Sequence, residues 1–95
     1  MSTNVKTRFP LGQLVATPGA LAVLTEAGQS PQQFVARHQA ADWGECCDED
    51  RIANDQALLH GERLLSAYRT VKNEKIWIIT EADRSSTCIL LPEDY

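Results

Sequence analysis

A chain of 95 residues, 43% apolar and 23% charged, is long enough for one hydrophobic core and too short for two, and this composition excludes a disordered chain. The net charge of −4 is unevenly spread: residues 42–62 carry seven acids against Arg51, whereas residues 1–41 sum to +2 and residues 63–95 to zero. A phosphate-binding surface requires the opposite sign, so nucleic-acid binding is disfavoured.

Residues 1–8 are polar and predict a flexible tail, followed by one α+β domain over residues 9–95. Leu11 to Ala16 is a short β-competent run and a candidate N-terminal strand. Thr17-Pro18 then opens a helix, with threonine as cap and proline in the first turn, where a missing N–H costs nothing. Ala20, Leu21, Leu24 and Ala27 recur at helical spacing, and Gly28 supplies a left-handed stop. Ser30-Pro31-Gln32-Gln33 is a stronger start, because it adds capping-box spacing to the same pair of signals. Phe34, Val35, His38 and Ala41 form the expected inward face of this second helix, which Asp42-Trp43-Gly44 ends.

Asp48 or Asp50 is expected to cap a third helix, with acids in its first turn suiting the positive end of the helix dipole. Ile52, Ala53, Gln56, Leu59 and His60 fall on one broad face, and Gly61 stops the segment. The period then changes to that of strands. Arg63 to Thr70 alternates, Lys75 to Glu81 is rich in β-branched residues and tryptophan, and Ser85 to Leu91 ends at Pro92. The loops Val71–Glu74 and Ala82–Arg84 are too short for a parallel crossover, so these three strands are antiparallel neighbours. The expected fold is about three N-terminal helices packed on a C-terminal antiparallel three-stranded meander, with Leu11–Ala16 as a candidate fourth strand.

The opening MSTNVKTRF lacks the apolar core of a secretory signal, and no apolar run approaches the ~20 residues that span a bilayer. Of the three cysteines, two are adjacent, which does not suit a disulfide framework. Reduced thiols, a cytoplasmic location and no membrane partner are the expectation.

Four strings, LGQLVATPGAL (11–21), ARHQAADWG (36–44), HGERLLSAY (60–68) and WIITEADRSSTCILLPEDY (77–95), carry a resemblance that covers nearly the whole chain. The chain resembles a family of short bacterial proteins of plasmids and integrative elements, often labelled plasmid-related proteins. The resemblance implies a bacterial, mobile-element setting and no particular activity. The family commonly has glycine before the Asp-Trp-Gly tripeptide, where this chain has Ala41.

Chemistry concentrates at two turns. At the first, His38 titrates near neutrality, and helical spacing puts Asp42 on its face, where a carboxylate orients an imidazole. Arg37, Trp43 and Tyr68 complete a candidate binding set. In the structural alternative His38 meets a helix C-terminus, Asp42 pairs with it and Trp43 fills the core edge. At the second turn, Glu81 and Asp83 form a carboxylate pair, and Arg84 has the fork that grips phosphate. Here the structural alternative is that Arg84 pairs with Glu81 or Asp83 and fixes the loop. Cys46 and Cys47 are too close together for tetrahedral zinc, even with His38 or His60, so no metal is expected. Neighbouring acids raise the thiol pKa and make these cysteines poor nucleophiles. No glycine-rich phosphate loop, nucleophile elbow or paired-histidine zinc motif is present, so no cofactor is expected either.

Two functions follow. The first is a non-catalytic accessory or interaction protein, with a protein partner or a homodimer built on a sheet edge, and with the acidic block as a contact for a basic partner. The second is a small ribonuclease-like hydrolase, with His38 or His60 as acid or base, Glu81 as counterpart and Arg84 on the phosphate.

Overall fold

A computed structural model describes residues 7–95. The elements run β1 (Gln13–Ala16), α1 (Pro18–Ala27), α2 (Pro31–Gln39), α3 (Asp48–His60), β2 (Leu64–Arg69), β3 (Lys75–Thr80) and β4 (Ser86–Leu90), and the chain closes with a 3-10 turn at Pro92–Asp94. Most of the expected tail, residues 1–6, lies outside the described residues. Arg8 N–H donates to Gln39 O at 2.8 Å, and Phe9 is buried.

The helix starts follow their local chemistry. Thr17 Oγ1 accepts from Ala20 N–H, and Ser30 and Gln33 form a reciprocal capping box. Gly28 and Gly61 end α1 and α3 in the left-handed conformation. α3 departs from expectation at its start. Neither Asp48 nor Asp50 caps it; Cys47 stands at the N-cap without a side-chain bond, and Asp48, Glu49 and Asp50 fill the first turn.

The sheet is mixed and four-stranded, in the order β1-β4-β3-β2. β2, β3 and β4 form the antiparallel meander, and β1 adds to β4 in parallel, with Leu14 opposite Thr87 and Ala16 opposite Ile89. This corrects the three-stranded antiparallel expectation. Short loops dictate direction only between consecutive strands. β1 reaches β4 across the whole intervening chain, so its direction is set by packing.

Register puts Leu64, Ser66 and Tyr68 on one face with Ile76, Ile78 and Thr80, and then with Thr87 and Ile89. Two apolar clusters form there. One joins Ala20, Leu24, Phe34 and Val35 to Tyr68, Ile76, Ile78 and Ile89; the other joins Phe9, Trp43, Ala57 and Leu64. Leu11 packs against both.

The outer edge of β2 is sealed from within the chain. Asn54 on α3 donates to Leu65 O at 2.7 Å and accepts from Leu65 N–H at 3.1 Å, so one carboxamide replaces a neighbouring strand. Two residues on, Ala67 N–H donates to Trp43 O and Ala67 O accepts from Glu45 N–H, which makes a parallel bridge at Gly44. Such capping suppresses self-pairing at that edge. It also rotates α3. The face expected from Ile52 and Leu59 points to solvent, with these residues 61% and 79% exposed, while Asn54 and Ala57 are the buried positions. Residues two apart lie nearly opposite on a helix of 3.6 residues per turn, so the choice of Asn54 and Ala57 forces Ile52 and Leu59 outward. No helix among the described residues is long and apolar enough to cross a membrane.

Candidate functional site

His38 lies at the end of α2 with 0% exposure, between the two apolar clusters. Phe9 and Trp43 meet its ring edge-on at centroid distances of 5.2 and 5.8 Å. Its Nδ1 is 2.5 Å from Ser66 Oγ and its Nε2 is 2.9 Å from Thr80 Oγ1. Thr80 Oγ1 is 2.8 Å from Thr87 Oγ1, and Thr87 donates to Leu11 O at 2.8 Å.

That final carbonyl fixes the direction of the chain, because a carbonyl only accepts. Thr87 spends its proton on Leu11 O, so Thr80 donates to Thr87. Thr80 Oγ1 then accepts from His38, which places the imidazole proton on Nε2. Nδ1 is left as an acceptor for the Ser66 hydroxyl. Burial together with the Arg84 charge lowers the imidazole pKa to about 4, which keeps the ring neutral and makes Nδ1 the acceptor. The chain runs from β2 through α2, β3 and β4 to the lead-in of β1, and satisfies every member.

Asp42 does not reach His38, which corrects the expected carboxylate–imidazole pair. α2 stops at Gln39, and Ala41 adopts φ +65°, so helical spacing does not carry through to Asp42. The carboxylate instead takes Arg37 Nε at 2.7 Å on one oxygen and Gly44 N–H on the other. Arg37 lies over the Tyr68 ring at 4.6 Å, and the Tyr68 hydroxyl donates to Asp42 O at 2.5 Å. The Arg37 hydrogen bond holds the Asp42 carboxyl below its usual range, and burial pushes the Tyr68 phenol up. Arg37, Asp42 and Tyr68 thus form a latch over the α2 terminus.

Ala41 holds a positive φ, a conformation that favours glycine. An L-residue there costs about 1–2 kcal/mol, partly offset by the lower unfolded-state entropy of alanine and by its packing beside Trp43. The Ala41→Gly variant is expected to gain up to about 1 kcal/mol, read as a higher urea midpoint at unchanged slope.

Arg84 pairs with neither Glu81 nor Asp83. Its Nη1 donates to the carbonyls of Glu62, Glu81 and Ala82, and its Nη2 to Ala57 O, so the guanidinium ties the β3–β4 turn to the C-terminal end of α3. A cation at that end also suits the helix dipole. Asp83 accepts from Ser85 N–H at 3.0 Å, the Ser85 side chain and then this N–H lower its pKa, and Glu81 is exposed.

The two turns do meet, through one residue. Phe9 stacks against Trp43 with centroids 6.4 Å apart, and Arg84 sits 5.7 Å above the same ring. The meeting point is packed side chains, with Phe9 and Trp43 both buried. His60, at the exposed end of α3, joins neither turn in hydrogen bonding.

Cys46 is half-buried and donates to Trp43 O at 3.2 Å, and burial raises its pKa; Cys47 is exposed. Among the described residues no group of three or more His, Cys, Asp or Glu side chains is placed to hold a metal ion.

An open groove of about 440 Å³ lies on the other side of Trp43, lined by Ala41, Trp43, Asp48, Arg51, Ile52 and Asp55. Trp43 Nε1 donates to Asp55 Oδ1 at 3.0 Å, and Arg51 pairs with Asp48. Sequence reasoning singled out Trp43 but missed Ser66, Asn54 and this groove. The available signal was a serine at an inward position of the alternating strand LLSAYR. No family model, no curated protein and no solved structure matches the chain.

Proposed function

We propose that this protein is a non-catalytic interaction protein, an accessory factor of a bacterial mobile element acting in the cytoplasm through a protein partner. The observation that carries this reading is where the polar chemistry is spent. His38, Ser66, Thr80 and Thr87 are each 0% exposed and bonded to one another, and Arg84 is committed to four backbone carbonyls. These groups hold the fold together. The exposed surface is instead acidic and locally apolar, which suits protein contact better than phosphate contact. The mobile-element setting rests on the resemblance of the four strings alone.

The hydrolase alternative needs a histidine, Glu81 and Arg84 converging on an open cleft. The enclosed His38 and the engaged Arg84 favour the interaction reading over this alternative, in which His60 would have to serve. The test pairs cross-linking in the bacterium carrying the gene with an RNA-cleavage assay of the purified chain. A stoichiometric protein partner and no cleavage support the proposal. Cleavage abolished by His60→Ala would overturn it.

A further inference from the structure

α3 is a helix with an unused apolar side. Thirteen residues long, it buries only Asn54 and Ala57, and it is anchored chiefly by the Asn54 carboxamide on β2 and by the Arg84 bonds at its end. Ile52 and Leu59 project from the opposite side, 61% and 79% exposed. Two turns separate them, so they sit about 10 Å apart on one stripe. Covering both against a partner would take this apolar surface out of water.

The stripe borders the groove beside Trp43. The groove has an apolar floor of Ala41, Trp43 and Ile52 and carries two carboxylates, Asp48 and Asp55, beside the Arg51 guanidinium. Asp55 uses Oδ1 for the Trp43 indole, and its second oxygen has no partner among the described residues. Asp48 already holds a guanidinium, that of Arg51 from the next turn of the same helix. An apolar floor beside carboxylates suits a lysine or arginine, whose aliphatic stem packs on the floor while its cation reaches the acids.

Charge selects the occupant. Asp42 and Glu45 are paired with Arg37 and Arg69, but α3 itself carries Asp48, Glu49, Asp50 and Asp55 against Arg51 alone. A second copy presenting the same face would bring like charge to like charge, and a nucleic-acid backbone would do the same. A basic partner meets the complementary potential.

We infer that the outer face of α3, with the Trp43 groove beside it, docks a basic amphipathic segment of a partner protein. Two apolar side chains of that segment cover Ile52 and Leu59, and a lysine or arginine enters the groove between Asp48 and Asp55. This deepens the interaction reading above and rests on it.

The test uses the full chain, labelled with nitrogen-15, and three synthetic peptides of about 18 residues, or five helical turns. One carries leucine on one helical face and lysine and arginine on the other. The second scrambles that composition. The third replaces the basic residues with glutamate. The basic amphipathic peptide is expected to shift the amides of residues 48–60 and the Trp43 indole N–H. Its affinity is expected to fall about tenfold between low and moderate salt, as screening removes the charge term. The double variant Ile52→Ser with Leu59→Ser is expected to keep the native amide spectrum, because both side chains are exposed, and to bind about tenfold more weakly. Glu49→Lys, which reverses a charge beside the stripe, is expected to weaken binding in a salt-dependent way.

Equal binding of the acidic or scrambled peptide would overturn the inference. So would shifts mapping to another surface, or unchanged affinity in the double variant. A wild-type dimer in sedimentation that becomes monomeric in the double variant would replace the basic partner with a second copy. If α3 binds no peptide while cross-linking still recovers a stoichiometric partner, the interaction reading stands and this surface assignment falls. RNA cleavage abolished by His60→Ala would remove the interaction reading whatever the peptides do.

Discussion

Replacing His38 by alanine is expected to lower stability by about 3–5 kcal/mol, a large share of the roughly 5–15 kcal/mol that holds a small domain together. Two costs add. Ser66 loses the acceptor for its hydroxyl, and Thr80 loses its donor, in surroundings where both residues are 0% exposed. The missing ring also leaves a cavity between Phe9 and Trp43, which relax only in part. Urea unfolding followed by tryptophan fluorescence should show a much lower midpoint with little change in slope. A loss below about 1 kcal/mol would mean that the hydroxyl chain is reached by water in the native state.

The same residue shapes the acid response. Burial and the Arg84 charge depress the native imidazole pKa from 6.5 to about 4. In the unfolded chain His38 gains a proton as pH falls below 6.5, whereas the native state resists until about 4. The unfolded state therefore binds more protons across that window, and stability falls as pH falls. The contribution is fully present above pH 6.5. It declines by about 3 kcal/mol on the way to pH 4, since each tenfold difference in proton affinity between the two states is worth about 1.4 kcal/mol. Below that range the Asp42 carboxyl, held low by Arg37, begins to protonate and weakens the latch over Tyr68. A His38→Gln variant should be less stable at pH 7 and should show a flatter dependence between pH 6.5 and 4. An unchanged slope would assign the acid sensitivity to other groups.

The second large effect is expected at Gly44. Its φ is +76°, and an added Cβ would lie 2.0 Å from Ala67 O and 2.6 Å from Tyr68 Cδ1. The near atom is a backbone carbonyl already accepting from Glu45 N–H, so it cannot move without breaking the bridge that seals β2. Gly44→Ala should therefore cost about 4 kcal/mol, in the range that marks a steric fault rather than a lost contact. Gly61→Ala provides the control. Its φ of +70° carries the same backbone strain, but nothing lies within 4 Å of the added methyl, so the cost should stay near 1–2 kcal/mol. The gap between the two variants, read from thermal midpoints, isolates the steric contribution. Equal losses would show that backbone conformation alone accounts for Gly44. Because Gly44 follows Trp43, its substitution should also disturb the groove beside α3, which makes it a poor variant for testing peptide binding.

Much of the outline is legible in the sequence because it rests on local chemistry. Thr17-Pro18 and Ser30-Pro31 start α1 and α2 by satisfying N–H groups within three residues, and Gly28 and Gly61 stop α1 and α3 by adopting a conformation other residues resist. The antiparallel order of β2, β3 and β4 follows from loops too short for any other connection. Trp43 and Tyr68 stand out as large aromatic side chains beside polar turns, and both sit at the junction of α2, α3 and β2.

What the tertiary structure alone decided has one physical origin: each such feature is a contact between residues far apart in the chain. Helical period states which residues of α3 share a side, but not which side faces inward. The hydrogen bonds between Asn54 and Leu65 made that choice and turned Ile52 and Leu59 to solvent. The parallel direction of β1 likewise depends on β4, at the other end of the chain. His38 read alone is a titratable side chain four residues from a carboxylate. Ser66, Thr80 and Thr87, brought together by strand register, make it a neutral member of a buried hydroxyl chain.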